Sequence, residues 1–428
     1  MTDTSFFIEK QQSLRVRHDR RGGIEQSIEN DQGFGISRLN DSDLSYRWFE
    51  LSQDERDLAT LPINLLSEAQ VVLGEEALTA DALAYYASFV QRLMLTAREN
   101  GAEHLAISVL ELHQNILHAT DRAIVKDYRR AARLLLRIWT KGSSNDQSVF
   151  RTYALGGGKQ LTGVSSHLQG FIADMASVAQ EKQLQVSCPT GRFPVVLAPG
   201  PSAHFFHEVV GRPLEGDVVV RHSSYLAPLL GQHISDECLT IIDDPFYPSS
   251  PANYAVDDEG VKAEQVILIH EGRVGNPILD QLTARRLLRA SNGHARRTNF
   301  RYYALPRLSH TYVKPHLGTL REIIADIPYG ILLLGVRLRY MDIATGNFSF
   351  YIDEAREIRQ GQLGSFVAPG LLVGNGCDAL REIDRVGADI DQAPLGTAGN
   401  GKLDQGPLTV SFTQPTVRLK NLRIEAVR

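Results

Sequence analysis

The sequence predicts an α+β protein with two domains: an N-terminal mixed strand-and-helix domain over residues 1–190, and a C-terminal β-rich domain, barrel-like or built on a curved sheet, over residues 191–428. Runs of strand-type composition occur in both halves. Two long segments with the three- and four-residue apolar spacing of helices occur in the first half. A stretch rich in Pro and Gly, Cys188 to Gly200, separates the two compositions and marks the boundary.

The first 100 residues predict a sheet followed by a helix. Short β-type runs, broken at Gly22–Gly23 and Gly33–Gly35, are typical of a small antiparallel meander. An amphipathic helix follows, with Thr79 as its N-cap and Gly101 as its stop. Its predicted buried face consists of Leu83, Tyr86, Val90, Leu93 and Ala97.

The rest of the chain is mainly strand-like. Residues 103–153 return to strand composition, and a second helical pattern runs from about Ser165 to Gln183. After the boundary, the short strand PVVLA opens a series of β-type runs. Helical patterns interrupt this series at Leu279–Ser291 and Thr319–Ile327.

Composition restricts the class of protein. The chain has 428 residues, 43% of them hydrophobic and 22% charged, with a formal net charge of −5. This charge gives no electrostatic reason to expect nucleic acid as a partner. Three scattered cysteines favour a reducing compartment, and neither a signal peptide nor an apolar run long enough for a membrane is visible. We therefore expect a cytoplasmic protein without a membrane partner.

The segment HFFHEVVGRPLEGD, from His204 to Asp217, is the strongest functional signal. His207 is followed at once by Glu208, as a metal ligand and a general base are in metallopeptidases. The zincin pattern requires a second His four residues later, and Gly211 stands there, so that pattern is excluded. A turn at Gly211 would instead bring the next residue, Arg212, back toward His207.

The start of this helix also carries predictions. Ser202 is a candidate N-cap after the preceding Pro/Gly turn. His204 and His207 are three residues apart, so they share a helix face.

This segment resembles the TldD/PmbA family, also called modulators of DNA gyrase, in which HExxxH is followed by GLEGD. The matching residues are His207, Glu208, Gly211 and Leu214-Glu215-Gly216-Asp217. Six further stretches match in the family's order: Asp243–Gly260, Ser291–Arg297, Pro306–Tyr312, Tyr329–Ile331, Met341–Phe350 and Gln414–Ile424. The layout of the N-terminal half is also similar to the family.

The resemblance implies a specific site. TldD-like subunits are zinc metallopeptidases that pair with a metal-free relative, TldE or PmbA, and cut short or unfolded peptides in a chamber. Their zinc ligands are both histidines of HExxxH and a C-terminal Cys. Here His207 keeps the first ligand position and Glu208 the general base, but Arg212 replaces the second His. Asn400 occupies the Cys position, with Ala398 the nearest alternative.

Two functions follow from these substitutions. In the favoured one, the chain is a metal-free subunit of a heteromeric peptidase, the zinc belongs to the partner, and Arg212 pairs with Glu208 or Glu215. In the alternative, His204, His207 and His310 form a rebuilt zinc site with Glu208 as base, suited to maturation of peptide natural products. Whether this chain is itself an enzyme stays open between them.

Two further inferences concern ligands. A DNA-associated regulator, which the family's older name suggests, fits poorly with the net charge and the absence of a DNA-binding motif. The family's glycine-rich segment before a VDI strand is GVRLRYMDI here, with Arg337 and Arg339. If this segment lines the substrate path, these two arginines bind substrate and favour an acidic peptide.

Overall fold

The computed structural model describes residues 3–19, 22–40, 43–51, 61–74, 78–142, 144, 147–156, 165–390 and 395–427. It confirms a mixed α+β fold that consists mostly of strands, with a barrel in the C-terminal part. The strands up to residue 156 form one sheet, and the later strands belong to other sheets. The predicted limits of two domains, 1–190 and 191–428, stay a prediction.

The N-terminal sheet is antiparallel, in the order β3-β2-β1-β4-β5-β6. Its strands are β1 (Asp3–His18), β2 (Ile24–Leu39), β3 (Leu44–Glu50), β4 (Ala102–Thr120), β5 (Ile124–Thr140) and β6 (Val149–Gly156). Over residues 131–137 of β5, half-buried and buried residues alternate, because successive side chains point to opposite faces of a sheet. The buried set packs against helices, and the half-buried set faces the other way.

Three helices accompany this sheet: α1 (Ile63–Gly74), α2 (Ala80–Glu99) and α3 (Ser165–Glu181). Helices α2 and α3 confirm the two predicted helices, and both pack on β4 and β5 in one core. The Thr79 hydroxyl accepts a hydrogen bond from Ala82 N at 3.4 Å, as predicted for an N-cap, and Gly101 follows the helix with a φ of +86°. Helix α1 was not predicted from the sequence.

The predicted strand break at Gly33–Gly35 is wrong, because these residues lie inside the 16-residue strand β2. Both glycines are sites of close approach. A Cβ atom on Gly33 would overlap the Phe300 ring, and one on Gly35 would overlap the Tyr46 hydroxyl. The predicted break at Gly22–Gly23 is confirmed, since it falls between β1 and β2.

The C-terminal part contains a five-stranded barrel, in the order β14-β7-β21-β17-β15, which closes where β14 also pairs with β15. Its strands and their neighbours are β7 (Gly191–Leu197), β8 (Ile241–Asp243), β9 (Val266–His270), β10 (Arg273–Val274), β11 (Ala295–Arg296), β12 (Leu305–Pro306), β13 (His310–Val313), β14 (Tyr329–Met341), β15 (Asn347–Arg359), β16 (Gln362–Val367), β17 (Gly370–Asn375), β18 (Ile383–Val386), β19 (Gly396–Lys402), β20 (Gln405–Thr413) and β21 (Val417–Ala426). The barrel confirms the predicted barrel-like architecture.

A second C-terminal sheet has the order β10-β9-β8-β13-β20-β19, with β13 parallel to β20. The short helices are α4 (His204–Phe206), α5 (Gly216–Val220), α6 (Gln281–Arg286), α7 (Leu320–Ile324) and α8 (Gly376–Arg381). Helices α6 and α7 confirm the two predicted helical patterns, within shorter bounds. In the part of the chain that is described, no helix is long and apolar enough to cross a membrane.

Polar contacts join the N-terminal sheet to the C-terminal part. Arg129 Nη1 lies 2.6 Å from Asp258 Oδ1, and both side chains are buried. Arg151 Nη2 lies 3.0 Å from Glu354 Oε1 on β15. These contacts fix the two parts on either side of a large cavity.

Candidate functional site

The cavity between the N-terminal sheet and the barrel has a volume of about 1440 Å³. Strands β5 and β6 and helix α3 supply one wall. The chain segment after β7, together with β14 and β19, supplies the other. His204, His207, Glu208, Arg212 and Asn400 all line it, so the structure brings five of the predicted site residues to one place.

The segment after β7 is one continuous helical path of changing pitch. A 3₁₀ turn (Pro201–Ala203) leads into α4, then into a π turn (His207–Gly211) and a second 3₁₀ turn (Arg212–Leu214). The predicted N-cap at Ser202 is wrong. Its hydroxyl donates to the backbone oxygen of Ala198 instead, and the cap position belongs to Gly200, which has a φ of +96°.

The π turn explains the spacing of the motif. Arg212 N donates to His207 O, a bond across five residues rather than the four of an α-helix. Because a π turn contains more residues than an α-helical turn, the fifth residue after His207 lies closer to the helix face of His207 than it would in an α-helix. Arg212 consequently lines the same cavity as His207 and Glu208.

The predicted chain reversal at Gly211 is wrong. Gly211 has helical angles, φ −62° and ψ −58°, so no left-handed conformation is needed there. A Cβ atom at this position would lie 2.5 Å from Leu308 Cδ1. The glycine therefore serves close packing of the π turn against Leu308.

The His207 side chain is oriented by a buried chain of hydrogen bonds. Thr311 Oγ1 donates to Asp243 Oδ2 at 2.9 Å, so its oxygen accepts from His207 Nδ1 at 3.1 Å. This assigns the proton of His207 to Nδ1 and leaves a lone pair on Nε2, which has no hydrogen-bond partner among the described residues. Burial lowers the pKa of His207 to about 4, so the ring is neutral at neutral pH.

Asp243 is the anchor of this chain. Burial alone would raise the pKa of its carboxyl, but hydrogen bonds from His294 and Ser309 outweigh burial and hold the pKa below its usual range. The ionised carboxylate accepts from Ser309 N at 2.8 Å and from Thr311. Asp243 thus orders three neighbouring side chains besides orienting His207.

The Glu208 carboxylate contacts two side chains, the His204 imidazole and the Arg212 guanidinium. Its Oε1 is 3.4 Å from His204 Nε2, and its Oε2 is 3.7 Å from Arg212 Nη1. Burial raises the pKa of the Glu208 carboxyl, but His204, His207 and Arg212 together lower it below the usual value. Of the two pairings predicted for Arg212, the structure shows the one with Glu208.

Glu215 has a different partner, Lys402 on β19. The Lys402 amine donates to Glu215 Oε2 at 2.8 Å, to Pro306 O at 2.8 Å, and to Asp217. All of these side chains are buried. Lys402 therefore links the Leu214–Asp217 segment to β19, the strand on which Asn400 lies two residues earlier.

Asn400 is buried at the cavity wall, with 4% of its surface exposed. Its backbone oxygen accepts a hydrogen bond from Arg307. Neither Oδ1 nor Nδ2 of its side-chain amide has a hydrogen-bond partner among the described residues. Buried amide groups are costly when unpaired, so this side chain is suited to a ligand in the cavity.

The three predicted substitute ligands do not share one position. His204 stacks on Phe412 with ring centroids 4.8 Å apart and lines the cavity with His207. His310 stacks on Tyr247 at 3.9 Å, bonds Ser411 Oγ through Nδ1 at 2.8 Å, and is not among the cavity-lining residues. Burial lowers the pKa of His310 to about 3.

The two arginines predicted to bind substrate also differ. Arg337 lines the cavity, but its guanidinium is paired with Asp353, Nη2 to Oδ1 at 3.1 Å. Arg339 is exposed and is not among the lining residues; it lies 6.0 Å from the Tyr351 ring. Substrate binding by either residue stays a prediction.

The residues at the three family ligand positions do not fit zinc. Zinc takes lone pairs from Cys, His or carboxylate, preferably from three protein groups in a catalytic site. His207 Nε2 offers one, whereas the Arg212 guanidinium is a cation without a lone pair and Asn400 is an amide. Within the described ranges, no group of three or more His, Cys, Asp or Glu side chains is arranged to hold a metal ion.

Four residues of the site were not predicted from the sequence. Asp243 and Thr311 lie inside segments that resemble the family, DDPF and PRLSHTY, but the sequence does not show that these two side chains meet at His207. Lys402 was not among the predicted site residues. Arg133, on the half-buried face of β5, also lines the cavity, and only the strand alternation could have pointed to it.

Comparison with known proteins decides the family. A family model described as the PmbA/TldA metallopeptidase C-terminal domain matches residues 190–426. The chain belongs to the PmbA/TldD family. A "Metalloprotease TldD homolog" of Buchnera aphidicola subsp. Schizaphis graminum is 32% identical over 238 residues, which are 55% of this chain and 48% of that protein. The corresponding homolog of Haemophilus influenzae is 26% identical over 335 residues, 77% of this chain and 69% of that one.

The PmbA/TldD fold extends beyond the matched region. A crystal structure of TldE from Thermococcus kodakarensis superposes with a TM-score of 0.75 at 17% identity and covers 99% of this chain and 97% of that chain. Identity this low shows the fold alone. This PmbA/TldD chain spans about half the length of the Buchnera relative.

Proposed function

We propose that this chain is the metal-free subunit of a TldD/TldE-type peptidase assembly that acts on short or unfolded peptides, and that it contributes structure and peptide binding. The observation that carries the proposal is the position of Arg212. Its guanidinium occupies the second-ligand position of the family's HExxxH motif and lies 3.7 Å from Glu208 Oε2. An ion pair takes the place where the family's motif would hold a metal.

Electrostatics supports this proposal. A permanent guanidinium charge beside His207 opposes a divalent cation at the same position. The charge also reduces what Glu208 can do, because a carboxylate paired with a cation is a weaker base. The residues of this chain would therefore bind and orient a peptide, exclude water around it, and leave bond cleavage to the zinc-bearing partner.

The cavity supports a role in peptide binding. It has about 1440 Å³ of space, larger than the range usual for small-molecule sites. Apolar and aromatic side chains such as Phe150, Phe171 and Phe412 line it together with unpaired polar groups. This mixture suits a flexible chain with regular peptide groups and variable side chains.

The test is metal analysis combined with reconstitution. The chain would be purified alone and after co-expression with a family member that has an intact HExxxH motif, and zinc would be measured by mass spectrometry. We expect less than about 0.1 zinc per chain alone, and chelator-sensitive peptidase activity only in the co-purified assembly. About one zinc per chain without a partner would overturn the proposal.

A second candidate function has one observation in its favour. His207 keeps the Asp243–Thr311 hydrogen bonds and a free Nε2 lone pair, which is how a ligand histidine is oriented. A metallopeptidase with substituted ligands would therefore contain zinc when purified alone. The variant His204→Ala, which removes the other imidazole that lines the cavity, would lose that zinc, with His316→Ala, outside the cavity, as the control.

A further inference from the structure

The cavity is lined by four arginines among the described residues, and they differ in their partners. Arg151 pairs with both Asp174 and Glu354, and Arg337 pairs with Asp353. Within the described ranges, Arg212 makes one contact with a carboxylate, the 3.7 Å contact between Nη1 and Glu208 Oε2. The fourth, Arg133, has no carboxylate partner in the part of the chain that is described.

Arg133 lies on β5, on the face that points away from helices α2 and α3. Its Nε atom is buried and has no hydrogen-bond partner among the described residues. Burial lowers the pKa of its guanidinium, and no neighbouring carboxylate offsets this effect. A half-buried guanidinium without a counterion is costly, because it loses water without gaining an ion pair.

The opposite wall also has unsatisfied polar atoms. The Nε atom of Arg212 and the Nδ2 atom of Asn400 are donors without a partner, and Glu208 Oε2 and Asn400 Oδ1 are acceptors without a hydrogen bond from the described residues. A peptide group supplies both an acceptor and a donor for these atoms, and a carboxylate would in addition meet the charge of Arg133, which has no counterion among the described residues. A peptide with a carboxylate has this combination.

We infer that the cavity binds a peptide through a carboxylate, with Arg133 and Arg212 as the cationic groups on its two walls and the Asn400 amide as the partner of a peptide group. This inference rests on the proposed function, which makes a peptide the occupant. The planar guanidinium group presents paired donors to the two oxygens of a carboxylate, which makes arginine suited to this role. The other two arginines, Arg151 and Arg337, already form ion pairs with carboxylates of the protein.

The carboxylate has two possible sources, the C-terminus of a peptide or an acidic side chain. We commit to carboxylate recognition as the shared chemistry. Three dansyl-labelled pentapeptides distinguish the sources: pentaalanine with a free C-terminal acid, the same peptide as its amide, and an amide with one central glutamate. The dansyl group is used because it adds no negative charge of its own.

Binding to the purified chain is measured by fluorescence anisotropy. We expect the free acid, the glutamate peptide, or both to bind about tenfold more tightly than the plain amide, since a charge-assisted hydrogen bond contributes a factor of that size. In Arg133→Gln and in Arg212→Gln this preference falls toward one. A preference for the free acid alone assigns the C-terminus, and a preference for the glutamate peptide assigns the side chain.

The matched control is Arg137→Gln, which removes the same charge four residues along the same face of β5. Arg137 does not line the cavity, so the preference stays at about tenfold in this variant. Because burial of Arg133 without a counterion is costly and it has no carboxylate partner among the described residues, the thermal unfolding temperature of Arg133→Gln should be no lower than that of the native chain. This keeps a loss of binding separate from a loss of folding.

Two outcomes overturn the inference. One is equal affinity for all three peptides, or no binding at concentrations on the order of 1 mM. The other is a preference that Arg133→Gln and Arg212→Gln leave unchanged. Neither outcome concerns zinc, so the metal-free proposal would survive them, whereas stoichiometric zinc in the chain would overturn that proposal without affecting the peptide data.

Discussion

The two halves of the candidate site have changed to different extents. The retained half consists of His207, Thr311 and Asp243, and it keeps a neutral histidine whose Nε2 has no hydrogen-bond partner among the described residues. The exchanged half consists of Arg212 and Asn400, which the family resemblance assigns to the other two ligand positions, and Lys402 anchors it; this half presents a cation and an amide. All of these side chains except the half-buried Arg212 are buried, so the main difference lies in their chemistry.

The comparison shows why the retained half is weak support for a metal. Asp243 accepts hydrogen bonds from Ser309 and His294 as well as from Thr311. A buried carboxylate with several partners is costly to replace, because each donor would then be left unsatisfied. The orientation of His207 therefore persists for structural reasons, whether or not a ligand uses its lone pair.

The largest expected effect comes from converting the exchanged half back to the family pattern. The double variant Arg212→His, Asn400→Cys should bind about one zinc per chain, because it supplies three protein ligands around one position. Zinc content and the rise in thermal unfolding temperature on adding zinc would measure this. Arg212→His with Ala398→Cys is the control for the position of the third ligand, and zinc uptake in that control alone would move the assignment from Asn400 to Ala398.

The next effect concerns the anchor of the exchanged half. Lys402→Met leaves the buried carboxylates of Glu215 and Asp217 without their cation, and we expect the free energy of unfolding to fall by about 3–5 kcal/mol. Denaturant unfolding would measure it. Lys420→Met, at an exposed position, should change stability by less than about 0.5 kcal/mol. Equal effects of the two variants would show that the Lys402 contacts do not stabilise this half.

A smaller effect is expected at the centre of the retained half. Thr311→Val removes the hydroxyl between His207 and Asp243 and should lower the free energy of unfolding by about 1–3 kcal/mol. Introduced into the zinc-binding double variant, it should weaken zinc affinity by about 10–100-fold. Thr311→Ser keeps the hydroxyl and should keep both properties. If Thr311→Val left zinc affinity unchanged, the hydrogen bonds would not orient His207.

The smallest effect is expected at the arginines outside both halves. Arg337→Gln breaks a half-exposed ion pair with Asp353 and should cost less than about 1 kcal/mol of stability. Because the Asp353 carboxylate already pairs with the Arg337 guanidinium, we expect Arg337→Gln to change peptide affinity by about twofold or less. Arg339→Gln should have a still smaller effect. A loss comparable to that of Arg133→Gln would return substrate recognition to Arg337, as the sequence alone suggested.

Local patterns in the sequence predicted much of the fold. The spacing around Tyr86 and Val90, with Thr79 before it, gave helix α2 because periodicity and capping are local properties. The strand break predicted at residues 33 and 35 was wrong because glycine is also required where another side chain approaches the strand closely. Phe300 and Tyr46 make these approaches, and neither is a neighbour of the glycines in the sequence. Strand length in β2 was underestimated for this reason.

The residues themselves predicted the site only where they adjoin, and the family resemblance added the distant Asn400. His207, Glu208 and Arg212 lie on one turn, and all of them line the cavity as expected from their motif. The π turn itself was not predictable, since single-sequence spacing assumes α-helical pitch. The partners Asp243, Thr311 and Lys402 come from three other strands, and only the fold shows that they meet there.

The π turn places one residue more between His207 and Arg212 than an α-helical turn would. In an ordinary α-helix the residue nearest to the face of His207 would be the fourth one along, and that residue is Gly211, which has no side chain. The extra residue lets Gly211 pack against Leu308 while Arg212 lines the cavity beside His207. The five-residue interval between His207 and Arg212 therefore gives one turn of the chain two uses, close packing on one side and a cation on the other.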